Sequence, residues 1–527
     1  MSTMLKSILS MSAATGLSRL TGFLRTTVMA ATLGGAVVAN AYTVANVLPT
    51  QIYELFMGGI LSSTFIPLLV DRLTNHGEDD ARRLTSALVT IVLPFLAVVA
   101  LLGIIFAPRI VALTTDWGAA GNLSQAEAQR TADLAVLLFR VLAVQILFYG
   151  ISAICTGVLN SHRRFFLPTF APVLNNLIVI SSFVAYALLV EESFTTAIYV
   201  LAVGTTLGVA IMSLVLVPTV LRLGYRPRLT LGHPALADTV RLALPMLVFV
   251  AGSVGVQIAA YRFGTQFSAA AQLLYAFVIF QLPYGVFVVA IGTALMPELS
   301  EKYAENDTDG YRETLSFGLR TMAFITVPAS IGMVALAEPI VGLLYERGRF
   351  TPADTGTVAT LLAAYGVGLL GYGAYFILVR SFYARQNTRT PATLNAGLLI
   401  LYIALTYALT NVIGLTGVAL AFSAAYSVLA LALLAAMRRG IQSLDGRRMA
   451  VSLAKILAAG AVMYAIASFG VSLTGSGTNA LNRAMIIAVV GGVSVAGYLG
   501  VSVLLKTEEL KSAVSLVRRR SGKTTQY

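Results

Sequence analysis

Fourteen stretches of this 527-residue chain are each long and apolar enough to cross a bilayer, from the run at 2–33 to the run at 481–505. A helix rises about 1.5 Å per residue, so roughly 20 apolar residues span the hydrocarbon. Backbone groups in that medium find no water to bond, and segments of this length satisfy them internally only as helices. The expected fold class is an all-α polytopic membrane protein of 14 transmembrane helices, two six-helix bundles plus two C-terminal helices around a central cavity. The expected divisions are an N-terminal bundle at 1–221, a cytoplasmic linker at 222–241, a C-terminal bundle at 242–437, two additional helices at 449–505 and a basic cytoplasmic tail at 506–527.

Hydrophobic residues make up 57% of the chain and charged residues 11%, with a mean hydropathy of +0.83, which excludes a soluble globular domain. A net charge of +13 would suggest a nucleic-acid partner in a soluble protein. Here the cations gather in alternate loops, at Arg72, Arg82 and Arg83, then Arg163 and Arg164, then Arg222, Arg226 and Arg228. That is the positive-inside pattern of a multi-pass protein of the bacterial cytoplasmic membrane, with both termini cytoplasmic, surrounded by lipid and with no nucleic-acid partner. The single cysteine, Cys155, lies in an apolar run and offers neither a disulfide framework nor a metal site. His76, His162 and His233 stand in loops without a second ligand at metal spacing, so no metal is expected. No glycine-rich phosphate loop ending in Lys and Ser or Thr is present. The expectation is a transporter rather than an enzyme, without cofactors, with membrane potential or a proton gradient as candidate driving forces.

Ionised groups within the apolar runs cost about 2.5–3.5 kcal/mol each at mid-bilayer, so each one calls for an explanation. Arg140 and Arg380 lie close enough to helix ends to reach the headgroups. Arg19 and Arg25 lie deep in the first run, six residues and so about 120° apart on a straight helix, with Gly22 between them as a candidate bend. The second run carries Asn46, Thr50 and Glu54 at steps of four on one face, with Pro49 interrupting the hydrogen-bond ladder. Two readings stand. The arginines pair with Glu54 and tie two helices together, or they give a water-filled cationic cavity that receives an anion. Asn40 at the outer start of the second helix is either a cap or part of the cavity mouth. The candidate substrate-binding set is therefore Arg19, Arg25, Asn40, Asn46, Thr50 and Glu54. The candidate hinges are Gly22, Pro49, Pro283 and Gly285, for which static close packing is the alternative.

Three strings together carry a resemblance to a known family: SRLTGFLR from Ser18, LNSHRRFFLPTFAPVLNN from Leu159, and YERGRFTPAD from Tyr345 followed by RSFYARQNTRTP from Arg380. With GTALMPELS from Gly292, the chain resembles the MurJ (MviN) lipid II flippase family of the multidrug, oligosaccharidyl-lipid and polysaccharide exporter superfamily. The resemblance implies alternating access, carrying lipid II or a similar polyprenyl-diphosphate-linked saccharide from the inner to the outer leaflet, with the protein acting as a monomer. It also implies that Arg19 and Arg25 meet the diphosphate, whose oxygens suit bidentate guanidinium donors. The chain departs from the family pattern at Asn40, where many members are acidic, at Tyr53 and Glu54 in place of arginines, and at Phe277 and Val278 in place of a charged pair. Where some members hold sodium with carboxylates, this chain offers Asn395, which disfavours sodium coupling. The alternatives are a same-fold exporter of another polyprenyl-linked saccharide or of a drug, and a polytopic glycosyltransferase. The glycosyltransferase would need carboxylates on a large outer loop, and 34–40 has none.

Overall fold

The computed structural model describes residues 3–58, 65–230, 232–441 and 445–511, and every regular element among them is helical. Eleven of these helices are long and apolar enough to cross a membrane, twelve if Pro352–Val367 and Leu369–Ala384, bent by 46°, form one span. The first two expected spans are helical but outside that set, and the second holds only 17 residues before its backbone changes pitch. Of the expected tail at 506–527, residues 512–527 lie outside the described residues. The chain falls into two compact units, Met1–Ala271 with Arg347–Thr351, and Gln272–Glu346 with Pro352–Tyr527.

Unit 1 contains α1 (Thr3–Leu33), α2 (Val37–Tyr53), α3 (Ile66–Asn75), α4 (Glu78–Ile105), α5 (Ala107–Thr114), α6 (Gln125–Leu142), α7 (Gln145–Ser161), α8 (Phe166–Leu189), α9 (Phe194–Leu214), α10 (Val217–Arg222) and α11 (Ala235–Gln266). Local chemistry sets several of the starts. Glu78, Asp79 and Asp80 fill the first turn of α4, where negative charge meets the positive end of the helix dipole. A reciprocal capping box opens α6, with Ser124 Oγ accepting from the Glu127 amide and Glu127 Oε2 accepting from the Ser124 amide. Small residues let helices approach: a Cβ on Gly208 of α9 would stand 2.6 Å from Asn175 Oδ1 of α8. The excursion Arg347–Thr351 belongs to unit 1 because the Arg349 amide donates to Ala31 O at 2.8 Å and Gly34, at φ +67°, passes against the Arg349 carbonyl.

Unit 2 holds α12 (Ala270–Pro283, its first two residues counted with unit 1), α13 (Val289–Ala304), α14 (Thr308–Ala335), α15 (Ala337–Tyr345), α16 (Pro352–Val367), α17 (Leu369–Ala384), α18 (Arg389–Ile413), α19 (Thr416–Ile441), α20 (Gly446–Thr474) and α21 (Ala480–Leu504). Gly368 and Gly371, at the bend between α16 and α17, press on Ser423 and Ser427 of α19 with no room for a Cβ. Arg320 of α14 is buried, and its Nη1 donates to Glu508 Oε2 at 2.7 Å and to Glu509 Oε1 at 3.0 Å. Arg448 and Ser452 of α20 join from the other side, Arg448 to Glu508 and Ser452 Oγ to Glu509 Oε1 at 2.7 Å. Hydrogen bonds from Arg448 and Arg320 hold the Glu508 carboxyl below the usual carboxylate range. The segment after α21 is thus locked against α14 and α20.

The two units repeat one another in register. A π-helical turn follows α2 at Glu54–Gly58, and another follows α12 at Tyr284–Val288. The step along the chain from the first turn to the second is also the step from α4 to α14 at both of their ends, and it carries Gln51 onto Gln281 and Pro67 onto Pro297. Further along the step shortens, so that Arg163 comes to match Gln386. Both adopt left-handed backbone, at φ +59° and +58°, in the turns before α8 and α18. The repeat fails at one helix. The divisions expected at 222 and 242 put α11 in the second bundle, whereas α11 begins at Ala235 and packs in unit 1. Polar clips account for this. Arg262 Nη1 donates to Thr115 O at 2.9 Å and Leu113 O at 3.1 Å, neutralising the carbonyl end of α5, and Gln266 Nε2 donates to Asp116 Oδ2 at 3.1 Å. Deeper in, Gln51 Nε2 donates to Gln257 Oε1 at 2.6 Å.

Removing one partner of a buried ion pair strands the other, at about 3–5 kcal/mol. Arg320→Ala should therefore lower the thermal unfolding midpoint of the purified protein markedly. The double replacement Arg320→Met with Glu509→Leu should lose less than Arg320→Ala alone, and a double variant at least as unstable would contradict the clamp.

Candidate functional site

The polar residues singled out in the first two helices all lie in unit 1. Arg19 is exposed and Arg25 half-buried on α1, which runs as one helix through Gly22 without a break. A Cβ on Gly22 would sit 3.5 Å from Asn176 Nδ2, and Asn176 itself donates to Thr21 Oγ1 at 3.1 Å, so Gly22 serves the contact between α1 and α8. On α2, Asn46 and Thr50 are half-buried and Glu54, the first residue of the π-helical turn, is exposed. Among the described residues no carboxylate lies within 4.0 Å of Arg19 or Arg25, and no cation lies that close to Glu54. The ion pair that would have tied the first two helices together is not formed.

Tyr149 of α7 joins these groups. Thr50 Oγ1 donates to Tyr149 Oη at 3.3 Å, Tyr149 Oη donates to Gln145 Oε1 at 3.3 Å, and the Tyr149 ring packs on Tyr53 with centroids 5.6 Å apart. Nearby on α2, Tyr42 hydrogen-bonds Thr205 of α9 at 3.2 Å. Gln145 and Gln51 flank the group, each buried with one side-chain atom, Gln145 Nε2 and Gln51 Oε1, lacking a hydrogen-bond partner among the described residues. The arrangement is a cluster of hydroxyl and amide groups, which suits phosphate and sugar oxygens. Tyr149, Gln145 and Gln257 are not in the set chosen from the sequence. The available signal was Gln145 and Tyr149 at a spacing of four within an apolar run.

Asn40 is placed differently. It is 2% exposed, its Nδ2 donates to Gly35 O at 3.0 Å, Ala36 O at 3.2 Å and Ser268 O at 2.5 Å, and its Oδ1 accepts from the Ala271 amide at 2.8 Å. It is neither the cap of its own helix, where Ala36 stands, nor open to a cavity in this conformation. It fastens the start of α2 to the turn after α11. Pro49 is buried in α2 upstream of the first π-helical turn, Pro283 ends α12, and Gly285 lies in the second π-helical turn. In unit 2 the positions matching Thr50, Glu54 and Tyr149 are aromatic, namely Phe280, Tyr284 and Tyr372. Tyr284 packs tilted against Tyr372 with ring centroids 4.5 Å apart, Tyr372 meets Tyr426 edge-on at 4.8 Å, and Phe277 lies 5.6 Å from Phe422. Asn395 is fully buried, its Oδ1 accepting from Tyr375 Oη at 3.2 Å. Arg380 lies over the Phe376 ring at 4.6 Å.

Asn40→Asp would set a carboxylate against three carbonyl oxygens, and losing the donors should cost about 1–3 kcal/mol. The expected result is earlier thermal unfolding of purified Asn40→Asp, and an unchanged midpoint would contradict the fastening role.

A family model described as lipid II flippase MurJ matches residues 29–485. The chain is 30% identical over 448 residues to the lipid II flippase MurJ of Burkholderia cenocepacia, covering 83% of this chain and 84% of that protein. It is 27% identical to the probable lipid II flippase MurJ of Vibrio cholerae, over 97% of this chain and 98% of the relative. Among solved structures, a lipid II flippase MurJ in an inward closed conformation superposes with a TM-score of 0.76 at 24% identity, covering 94% of this chain and 98% of that one. An inward-facing multidrug-resistance transporter of the MATE family superposes at 0.58 with 15% identity, over 83% and 95%.

Proposed function

The chain belongs to the lipid II flippase MurJ family, and we propose that it moves lipid II, a polyprenyl-diphosphate-linked peptidoglycan precursor, from the inner to the outer leaflet of the bacterial cytoplasmic membrane by alternating access. The observation that carries the reading is Arg25, half-buried in α1 without a carboxylate partner among the described residues, with Arg19 six residues away on the same helix. A cation left without a carboxylate in an apolar helix is stabilised by an anion from outside the chain, and a diphosphate offers acceptor oxygens for two guanidinium groups. Arg19 and Arg25 receive the diphosphate, and Asn46, Thr50 and Glu54 meet the polar head. Asn40 acts from behind, by holding the start of α2. The polyprenyl tail stays in the lipid.

In this reading α1 and α2 complete a set of 14 spans, with both termini in the cytoplasm and a single chain as the working unit. Pro49, Pro283 and Gly285 lie in or beside the two π-helical turns, which are places for spans to bend. The driving force is membrane potential or a proton gradient.

Hydrogen bonds to charged groups are worth about 1.5–3 kcal/mol each, so Arg25→Ala should weaken lipid II binding by roughly ten- to a hundredfold. Arg19→Ala with Arg25→Ala should abolish complementation of a flippase-depleted strain while the protein still inserts. Arg25→Lys should retain part of the activity, because an ammonium lacks the guanidinium fork. Normal lipid II translocation with both arginines replaced would overturn the assignment.

A further inference from the structure

We propose that unit 2 holds a resident diacyl phospholipid, with one acyl chain in a crevice between α19 and α20, its phosphate on Arg438 and an ester carbonyl on Arg320. α20 rests on α14 where Ile456 packs with Ala323 and Val327, and α19 rests on α17 where Ser427 meets Gly371. Between these contacts lies a cavity of about 420 Å³, walled by apolar side chains that include Met322, Leu370, Ala374, Leu378, Leu434 and Ile456. That volume falls within the roughly 300–1,000 Å³ of sites that take small molecules. Val367 and Leu431 also line the cavity and are exposed, so its open side is apolar too. In a chain that crosses a membrane, an apolar opening of this kind takes up hydrocarbon rather than water.

Two arginines select the kind of lipid. Arg438, in the last turn of α19, borders the cavity and is exposed, and among the described residues no carboxylate lies within 4.0 Å of it. Its guanidinium lies against the start of α20, where a Cβ on Gly446 would stand 3.2 Å from Nη2. A guanidinium at the mouth of an apolar crevice matches a phosphate that is followed by a hydrocarbon chain. Arg320 borders the same crevice from α14. Its Nη1 is engaged by Glu508 and Glu509, but its Nε is buried and has no hydrogen-bond partner among the described residues. A buried donor without an acceptor is costly, and an acyl ester carbonyl, which stands between phosphate and chain, supplies the acceptor. A polyprenyl diphosphate carries no ester carbonyl, so the crevice suits a glycerolipid rather than the tail of the cargo. In the orientation proposed above, Arg438 lies at the cytoplasmic side and the lipid belongs to the inner leaflet.

The purified full-length protein, stripped of lipid in detergent, would be titrated with phosphatidylglycerol, with its ether-linked analogue and with a polyprenyl phosphate. Native mass spectrometry reads the bound lipid, and thermal unfolding reads its effect. Wild type should bind one phosphatidylglycerol tightly and unfold at a higher temperature with it bound, because the lipid joins the helices that the Arg320 clamp also joins. Ala374→Phe, which fills the crevice from α17, and Arg438→Gln should each weaken binding about tenfold. Ala374→Leu makes the same comparison if the phenylalanine variant does not fold. The ether-linked lipid keeps phosphate and chains but lacks the carbonyls, so it should bind wild type more weakly, and it tests Arg320 without disturbing the clamp. Wild-type affinity in a folded crevice-filling variant or in Arg438→Gln would overturn the site. Equal affinity for the ether-linked lipid would overturn the role of Arg320, and tighter binding of the polyprenyl phosphate than of phosphatidylglycerol would give the crevice to a carrier tail instead.

Discussion

The cost of charge in hydrocarbon governs this molecule, and the structure meets it in two ways. Where the charge is structural, the chain supplies the partner. Arg320 is met by Glu508 and Glu509, Arg483 by Glu346 at 2.7 Å, and Arg262 by the carbonyl end of α5. These arginines hold helices and segments together. Arg19, Arg25 and Glu54 have no such partner among the described residues, although they lie in apolar segments of the same kind. That contrast separates Arg320, Arg483 and Arg262 from Arg19, Arg25 and Glu54.

The repeat sharpens the contrast further. Two halves with matching helix ends and matching π-helical turns carry different chemistry at equivalent places. Unit 1 presents Glu54 and Tyr149, whereas unit 2 presents Tyr284 and Tyr372 within a cluster of aromatic rings. Polar and charged side chains stand at these places in one half, and packed rings in the other. The clips on Arg262 and Gln257 that keep α11 in unit 1 add to this inequality, since α1, its counterpart in the repeat, packs instead on α8 through Asn176.

The all-helical class and most of the spans were legible in the sequence because apolar length is a one-dimensional property. The arginines were legible for the same reason, being charges where charge is expensive. Tyr149 was not, since its significance lies in what reaches it from α2, and spacing within α7 does not report on other helices. Asn40 shows the opposite failure. An Asn near a helix start has several good uses, and only the positions of Ser268 and Ala271, far along the chain, decide among them. The placement of α11 was likewise invisible, because Arg262, Gln266 and Gln257 look like ordinary polar residues until their partners on α5, its following turn and α2 are known.

The π-helical turns carry a further consequence. Each bonds i to i+5, admitting one more residue per turn than the α-helix around it, so side chains beyond it are rotated by about 100° from where an unbroken α-helix would put them. The stripe Asn46, Thr50, Glu54 keeps to one face only as far as the turn, and the next step of four, Gly58, falls out of phase with it. The end of the turn at Gly58 is thus offset in angle from the face that α2 sets up. A substitution pattern that fits α2 therefore carries no orientation past the turn.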